Sequence, residues 1–158
     1  MKNALIHAIA IAAFTAGSAL GAGGGPEPRR MEPEDPAIEA IRAAVAKSDW
    51  KQAQELARAS VEKNPSSPDY HNLYAYSIRM GANPQLELVF KHYNEALRLD
   101  PKHLGAHEYL GEVYLTVGNL DKAKEQLRML DRLCFFSCKE FSTLKKAVAD
   151  YEAKPAAK

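Results

Sequence analysis

The sequence predicts an all-α chain: a short solenoid of about three helix pairs, closed by a C-terminal capping helix. Three observations predict it. Small, aromatic and proline residues recur at steps of about 34 residues. The intervening apolar residues keep helical spacing, which lays them on one face of each segment. The last stretch leaves the repeat and opens a helix of its own.

The first residues stand apart from this pattern. In "MKNALIHAIAIAAFTAGSALGAGGG", Lys2 precedes an apolar run from Ala4 to Leu20, and small residues follow. That layout predicts a secretory signal peptide over residues 1–22, with cleavage at Ala19-x-Gly21 or Leu20-x-Ala22. An uncleaved anchor would be the chain's one membrane contact. Residues 23–35 are Gly- and Pro-rich without apolar period, and read as a disordered linker.

The domain is expected over residues 36–152, with a disordered tail at 153–158. Asp35 and Pro36 are start signals for a first, short helix reaching Lys47. "SDW" leads into "WKQAQELARASVEKNP", where Ala53, Ala57, Ser60 and Val61 share a face and Pro65 ends the run. Tyr74, Ala75 and Ile78 mark the next helix, and "GANPQ" the turn after it. Val89, Tyr93, Ala96 and Leu97 then repeat the offsets of Ala53 to Val61, with Pro101 in the place of Pro65. "AHEYLGEVYLTVGNLDKAKEQL" supplies the third pair, with a turn at 117–119 and Ala123, Leu127 and Leu130 behind it. Val89 and Ala123 stand one such step apart. The step from Ala53 to Val89 is slightly longer, and it crosses "GANPQ".

This pattern resembles the tetratricopeptide repeat, whose helix pairs recur every ~34 residues. Leu110, Gly111, Tyr114, Gly118 and Ala123 stand at that family's Leu, Gly, Tyr, turn-Gly and small-residue positions. Tyr74, Ala75, Ile78, Val89, Tyr93, Ala96 and Pro101 do so in the second copy. The first copy is degenerate and lacks the Gly. The resemblance covers residues 36–133 and implies a right-handed stack of helical hairpins that binds proteins on its concave face. Ala75 and Gly111 would let the first helix of a pair approach the second closely, with Ala96 and Ala123 answering from the other side.

In "RLCFFSCKEFSTLKKAVADYEAK", Ser137 and Glu140 form a capping box, so the capping helix should start near Cys138. Phe141, Leu144, Val148 and Tyr151 give its apolar face. Cys134 and Cys138 are the only cysteines and flank this corner. A disulfide across it meets the distance requirement and suits an exported protein. A redox pair or a Cu(I) site remains the alternative, although the C-x-x-x-C spacing is not that of thioredoxin-like proteins.

Other chemistry is sparse. The chain carries 21 basic and 20 acidic residues, and 20 of each without Lys2, which argues against nucleic-acid binding. No H-E-x-x-H, Gly-rich phosphate loop or nucleophile elbow occurs, so no enzyme, cofactor or metal site is expected. His103 and His107 are four apart, and His71 and His107 occupy one repeat position in adjacent helices; packing between repeats explains both more simply than metal ligation.

The expected partner-binding groove comprises Arg42, Asn72, Tyr76, Arg79, Glu108 and Glu112, grading from basic to acidic. Glu108 and Glu112 would repel the terminal carboxylate that some members of the family grip. The sequence thus points to a non-enzymatic, periplasmic protein-interaction module that holds a peptide or helix. The rival is a thiol-redox or copper-handling protein using Cys134 and Cys138.

Overall fold

The computed structural model describes residues 35–136 and 138–154. The expected leader, all of the linker but Asp35, Ser137 of the capping box and residues 155–158 of the tail lie outside them. Among the described residues no helix is long and apolar enough to cross a membrane.

Among the described residues seven helices follow one another: α1 (Pro36–Ala46), α2 (Trp50–Lys63), α3 (Pro68–Met80), α4 (Leu86–Leu99), α5 (Leu104–Thr116), α6 (Leu120–Leu133) and α7 (Lys139–Glu152). Each packs on its chain neighbour through α6, and α1, α3, α5 and α7 also touch in succession. That second set of contacts turns three hairpins into a stack. The odd-numbered helices form one layer, and the even-numbered helices lie against it.

Local chemistry sets the helix boundaries. Asp35, Asp49, Ser67, His103, Asn119 and Cys138 each accept a backbone N–H of the following first turn. Pro36 and Pro68 supply a first residue that needs no N–H partner. Helices α2 and α4 stop at Lys63 and Leu99, two residues before Pro65 and Pro101. Helix α4 alone starts without a side-chain cap, at Gln85, where the longer "GANPQ" turn replaces the Asp49 and Asn119 of its counterparts.

The repeated small residues are the core. Ala53, Ala57, Ala75, Ala96 and Ala123 are all fully buried. One apolar cluster joins Ala75, Ile78, Val89, Tyr93, Ala96, Ala106, Leu110 and Val113 across α3, α4 and α5. A second joins Ala123 and Leu130 of α6 to Leu144 and Val148 of α7, so the capping helix buries the apolar edge of the last hairpin. Gly111 departs from expectation in its neighbour. A β-carbon on Gly111 would lie 2.5 Å from Leu144 Cδ2. The vacancy therefore admits the capping helix rather than α6. Leu144 is fully buried there, and a larger residue at 111 would displace it.

The turn between α5 and α6 needs a left-handed residue, and Gly118 supplies it with φ 77°. In the corresponding α1–α2 turn Ser48 takes that role with φ 55°. A side chain in this conformation is strained, which gives the degeneracy of the first repeat a physical meaning. Replacing Ser48 with Gly is expected to raise stability by about 0.5–1 kcal/mol, the relieved strain exceeding glycine's extra unfolded-state freedom. Urea unfolding with an unchanged slope and a raised midpoint would show it; a lowered midpoint would contradict it.

Candidate protein-binding groove

The odd-numbered helices form a cleft of roughly 310 Å³ lined by residues of α1, α3, α5 and α7 and by His103, which precedes α5. Four of the six expected groove residues line it: Arg42, Asn72, Tyr76 and Glu108. Their register is a repeat register. Arg42, Tyr76 and Glu112 hold equivalent positions in successive helices, and so do Asn72 and Glu108.

The remaining two are occupied with each other. Arg79 and Glu112 form an ion pair at 2.8 Å, both largely buried. The Arg79 guanidinium also lies 5.6 Å from the ring centres of Tyr76 and Tyr109. Those rings are 4.7 Å apart. Helices α3 and α5 are thus tied by a cation held between a carboxylate and two aromatic faces. Beside it lies the Tyr93 hydroxyl, and among the described residues neither it nor the buried Arg79 Nε makes a hydrogen bond of regular geometry. Arg79 and Glu112 serve the wall of the groove rather than its opening.

Seven further residues line the cleft: Val45, Leu73, Gly105 and four that carry polar or aromatic groups. Asp69 lies in the first turn of α3, with a carboxylate oxygen 3.3 Å from His103 Nε2. That bond holds the Asp69 carboxyl below its ordinary range. Tyr109 is one residue beyond Glu108 and completes the aromatic wall. Glu140 arrives from the capping helix, outside any repeat position. His103 is not on a helical face with His107: it caps α5, its Nδ1 accepting from Ala106 N–H at 3.0 Å.

Glu108 is the unusual member. It is 6% exposed and, among the described residues, faces no cation within ion-pair distance. Burial pushes its carboxyl up to about 7, aided by Glu112 and Glu140 and opposed by Lys139 and Arg79. Asn72 is 7% exposed, and its Oδ1 has no hydrogen-bond partner among the described residues.

The expected neighbourhood of His71 and His107 takes another form. Each ring is engaged by the end of the preceding hairpin and by the second helix of its own. His71 Nε2 donates to the Pro65 carbonyl at 3.0 Å, and His107 Nε2 to the Pro101 carbonyl at 3.0 Å. On the other side His71 Nδ1 lies 2.8 Å from His92 Nδ1, and His107 Nδ1 lies 2.7 Å from the Gln126 side chain. His92 and Gln126 hold equivalent positions in successive hairpins. The histidines therefore join the end of one hairpin to the second helix of the next. Among the described residues no group of three or more His, Cys, Asp or Glu could hold a metal ion.

At the far corner the sulfurs of Cys134 and Cys138 lie within bonding distance, with their Cα atoms 5.5 Å apart. Cys138 caps α7, its Sγ accepting from Phe141 N–H at 3.4 Å. Phe135 and Phe136 between them are almost wholly exposed.

The stacked hairpins match solved structures of the repeat suggested by the sequence. The type III secretion translocator chaperone SycD of Yersinia enterocolitica aligns with a TM-score of 0.65 at 13% identity, over 74% of this chain and 81% of that one. The TPR2B domain of yeast Sti1, in complex with pHsp70, gives 0.64 at 17% identity, over 73% and 94%. The Arabidopsis OM64 TPR domain gives 0.63 at 16% identity, over 73% and 93%. The chain folds as a tetratricopeptide-repeat solenoid. The TPR repeat-containing thioredoxin TTL4 of Arabidopsis thaliana is 30% identical over 81 residues, 51% of this chain. The chain spans 12% of the length of that protein. No protein-family model matches the chain.

The His71–His92 contact carries a pH dependence. One Nδ1 must donate and the other accept, so the bond fails when both rings are charged. Burial, with the neighbouring His71 and Lys91, lowers His92 to about 4. An unfolded histidine takes its proton near 6.5, so between pH 6.5 and 4 the unfolded chain binds more protons and stability falls as pH falls, by up to about 3 kcal/mol. His92→Gln, copying the Gln126 arrangement, is expected to flatten that decline. Denaturation midpoints of both proteins measured from pH 7 to pH 4.5 check it; parallel curves would refute it.

Proposed function

We propose that this tetratricopeptide-repeat protein is a non-enzymatic interaction module, exported to the periplasm, that holds a peptide or helix of its partner in the groove formed by α1, α3, α5 and α7. The observation that carries the reading is the cleft itself. Repeated helix positions, two tyrosine rings and polar side chains converge there, and the capping helix supplies a fourth wall. The proteins similar in fold include a translocator chaperone and a domain in complex with pHsp70. Export rests on the leader-like residues 1–22.

Gly105 offers a clean test. It lines the cleft, and a β-carbon there would meet only Asn72 Nδ2 at 3.4 Å and His103 side-chain atoms from 3.5 Å. Gly105→Phe should fill the groove while leaving the fold intact, since any residue other than Pro suits a helix better than Gly. Affinity capture from envelope extract should yield partners with the wild type that are lost with Gly105→Phe at matched thermal stability. The same partners from both, or none from either, would exclude the groove.

The cysteine pair supports a second element of the proposal: a structural disulfide that fixes the angle at which α7 leaves α6. The loop it closes is short, so its entropic contribution is modest, on the order of 2 kcal/mol. The redox or copper-handling alternative predicts accessible thiols. In protein isolated under oxidising conditions, Cys134 and Cys138 are expected to react with a maleimide only after reduction. Prompt labelling or bound copper would favour the alternative.

A further inference from the structure

We infer that the groove receives a single basic side chain, lysine or arginine, of the bound protein, and that Glu108 seats its cation. The inference rests on the groove reading above and adds the chemistry of what enters.

Size comes first. The cleft, roughly 310 Å³, has room for a long side chain of a partner lying along the surface.

Charge comes next. Asp69, Glu108 and Glu140 line the cleft, and Glu112 stands one turn beyond Glu108. The cations present are committed or distant. Arg79 of α3 is paired with Glu112. Lys139 of α7 acts on Glu108 through space, and Arg42 of α1 is engaged and bears on Asp69. Glu108 is left nine-tenths buried without a donor or a countercharge among the described residues.

Asn72 is an independent observation. It belongs to a different helix, is 7% exposed, lines the same cleft, and has a buried Oδ1 without a hydrogen-bond partner among the described residues. A native structure seldom leaves such groups unmatched unless something else satisfies them. An ammonium or guanidinium group supplies several donors and one positive charge. The rings of Tyr76 and Tyr109, which line the cleft, already contact the Arg79 guanidinium.

The unpaired carboxyl has a cost that a bound cation would remove. With Glu108 raised to about 7 by burial and by Glu112 and Glu140, a basic side chain binds best once the proton leaves. Binding should therefore tighten as pH rises from 6 to 8. Glu108→Gln should abolish that trend and weaken binding about tenfold or more. It should also leave thermal stability at pH 8 equal or higher, because a neutral amide carries no charge to desolvate.

The test titrates the full chain with the blocked pentapeptides acetyl-GGKGG-amide, acetyl-GGRGG-amide and acetyl-GGEGG-amide, and with spermidine, followed by amide chemical shifts. Saturable shifts at Gly105 and Tyr109 with the Lys or Arg peptide, absent with the Glu peptide and reduced in Glu108→Gln, would support the assignment. Three results would overturn it: equal binding of the Glu peptide, equal binding by Glu108→Gln, or saturation by spermidine without saturation by either basic peptide. No binding of either basic peptide, while partner capture stays sensitive to Gly105→Phe, removes the basic anchor and leaves the groove reading standing.

Discussion

Close approach of helices at residues with almost no side chain is the constraint on which this fold depends. Ala75 and Ala96 let α3 and α4 meet within one hairpin, and Gly111 lets Leu144 of the capping helix enter the next layer. A hairpin of two amphipathic helices cannot bury both apolar faces by itself, so stability comes from neighbours. The small residues set how near those neighbours come, and Tyr93, Leu110 and Leu130 fill what remains. The same spacing brings α1, α3, α5 and α7 side by side, and a groove lined by side chains one repeat apart follows from it.

Polar contacts then lock the stack in a manner the apolar pattern does not convey. The paired use of His71 with Pro65 recurs one hairpin later as His107 with Pro101, and His92 and Gln126 answer at matching positions. A proline that ends a helix leaves its carbonyl directed at the following hairpin, and a histidine N–H further along the chain satisfies it. The hydrogen-bond pattern is thus part of the repeat, conveyed by residues that sequence spacing alone offers equally well as metal ligands. What decides between the two readings is the second partner of each ring. That partner lies on the adjacent helix, beyond the next turn, where no local periodicity points to it.

The helices, turns and apolar faces were legible in the sequence because each is encoded locally: a cap, a proline, a period of 3.6. The groove was legible only in part. Repeat register identified Arg42, Asn72, Tyr76 and Glu108 as inward positions, and they line one cleft. Register could not show that Arg79 would be spent on Glu112, because that contact depends on the rotation of α3 against α5. Nor could it find Glu140, which reaches the groove from a helix outside the repeat, or Asp69 and His103, which enter from the loops and helix ends. Tyr109 was within reach, since it follows Glu108 and aligns with Leu73, another residue lining the cleft.

The balance of charge in this groove separates it from one built to grip a terminal carboxylate. Asn72 occupies a position where an amide could help hold an anion, but its counterpart one repeat later is Glu108, and the capping helix adds Glu140. Arg42 lies in the same cleft, yet it bears on Asp69, whose carboxyl is also held down by His103. Basic and acidic groups are therefore matched toward the α1 and α3 end and unmatched toward α5 and α7. An anion entering would meet Glu108 where the desolvation cost is highest, and a cation would relieve it. Buried groups whose ionisation is costly to the fold concentrate at sites selected for binding or chemistry rather than for stability. On the proposed reading, Glu108 is the recognition residue, and the capping helix is part of the binding surface as well as the end of the stack.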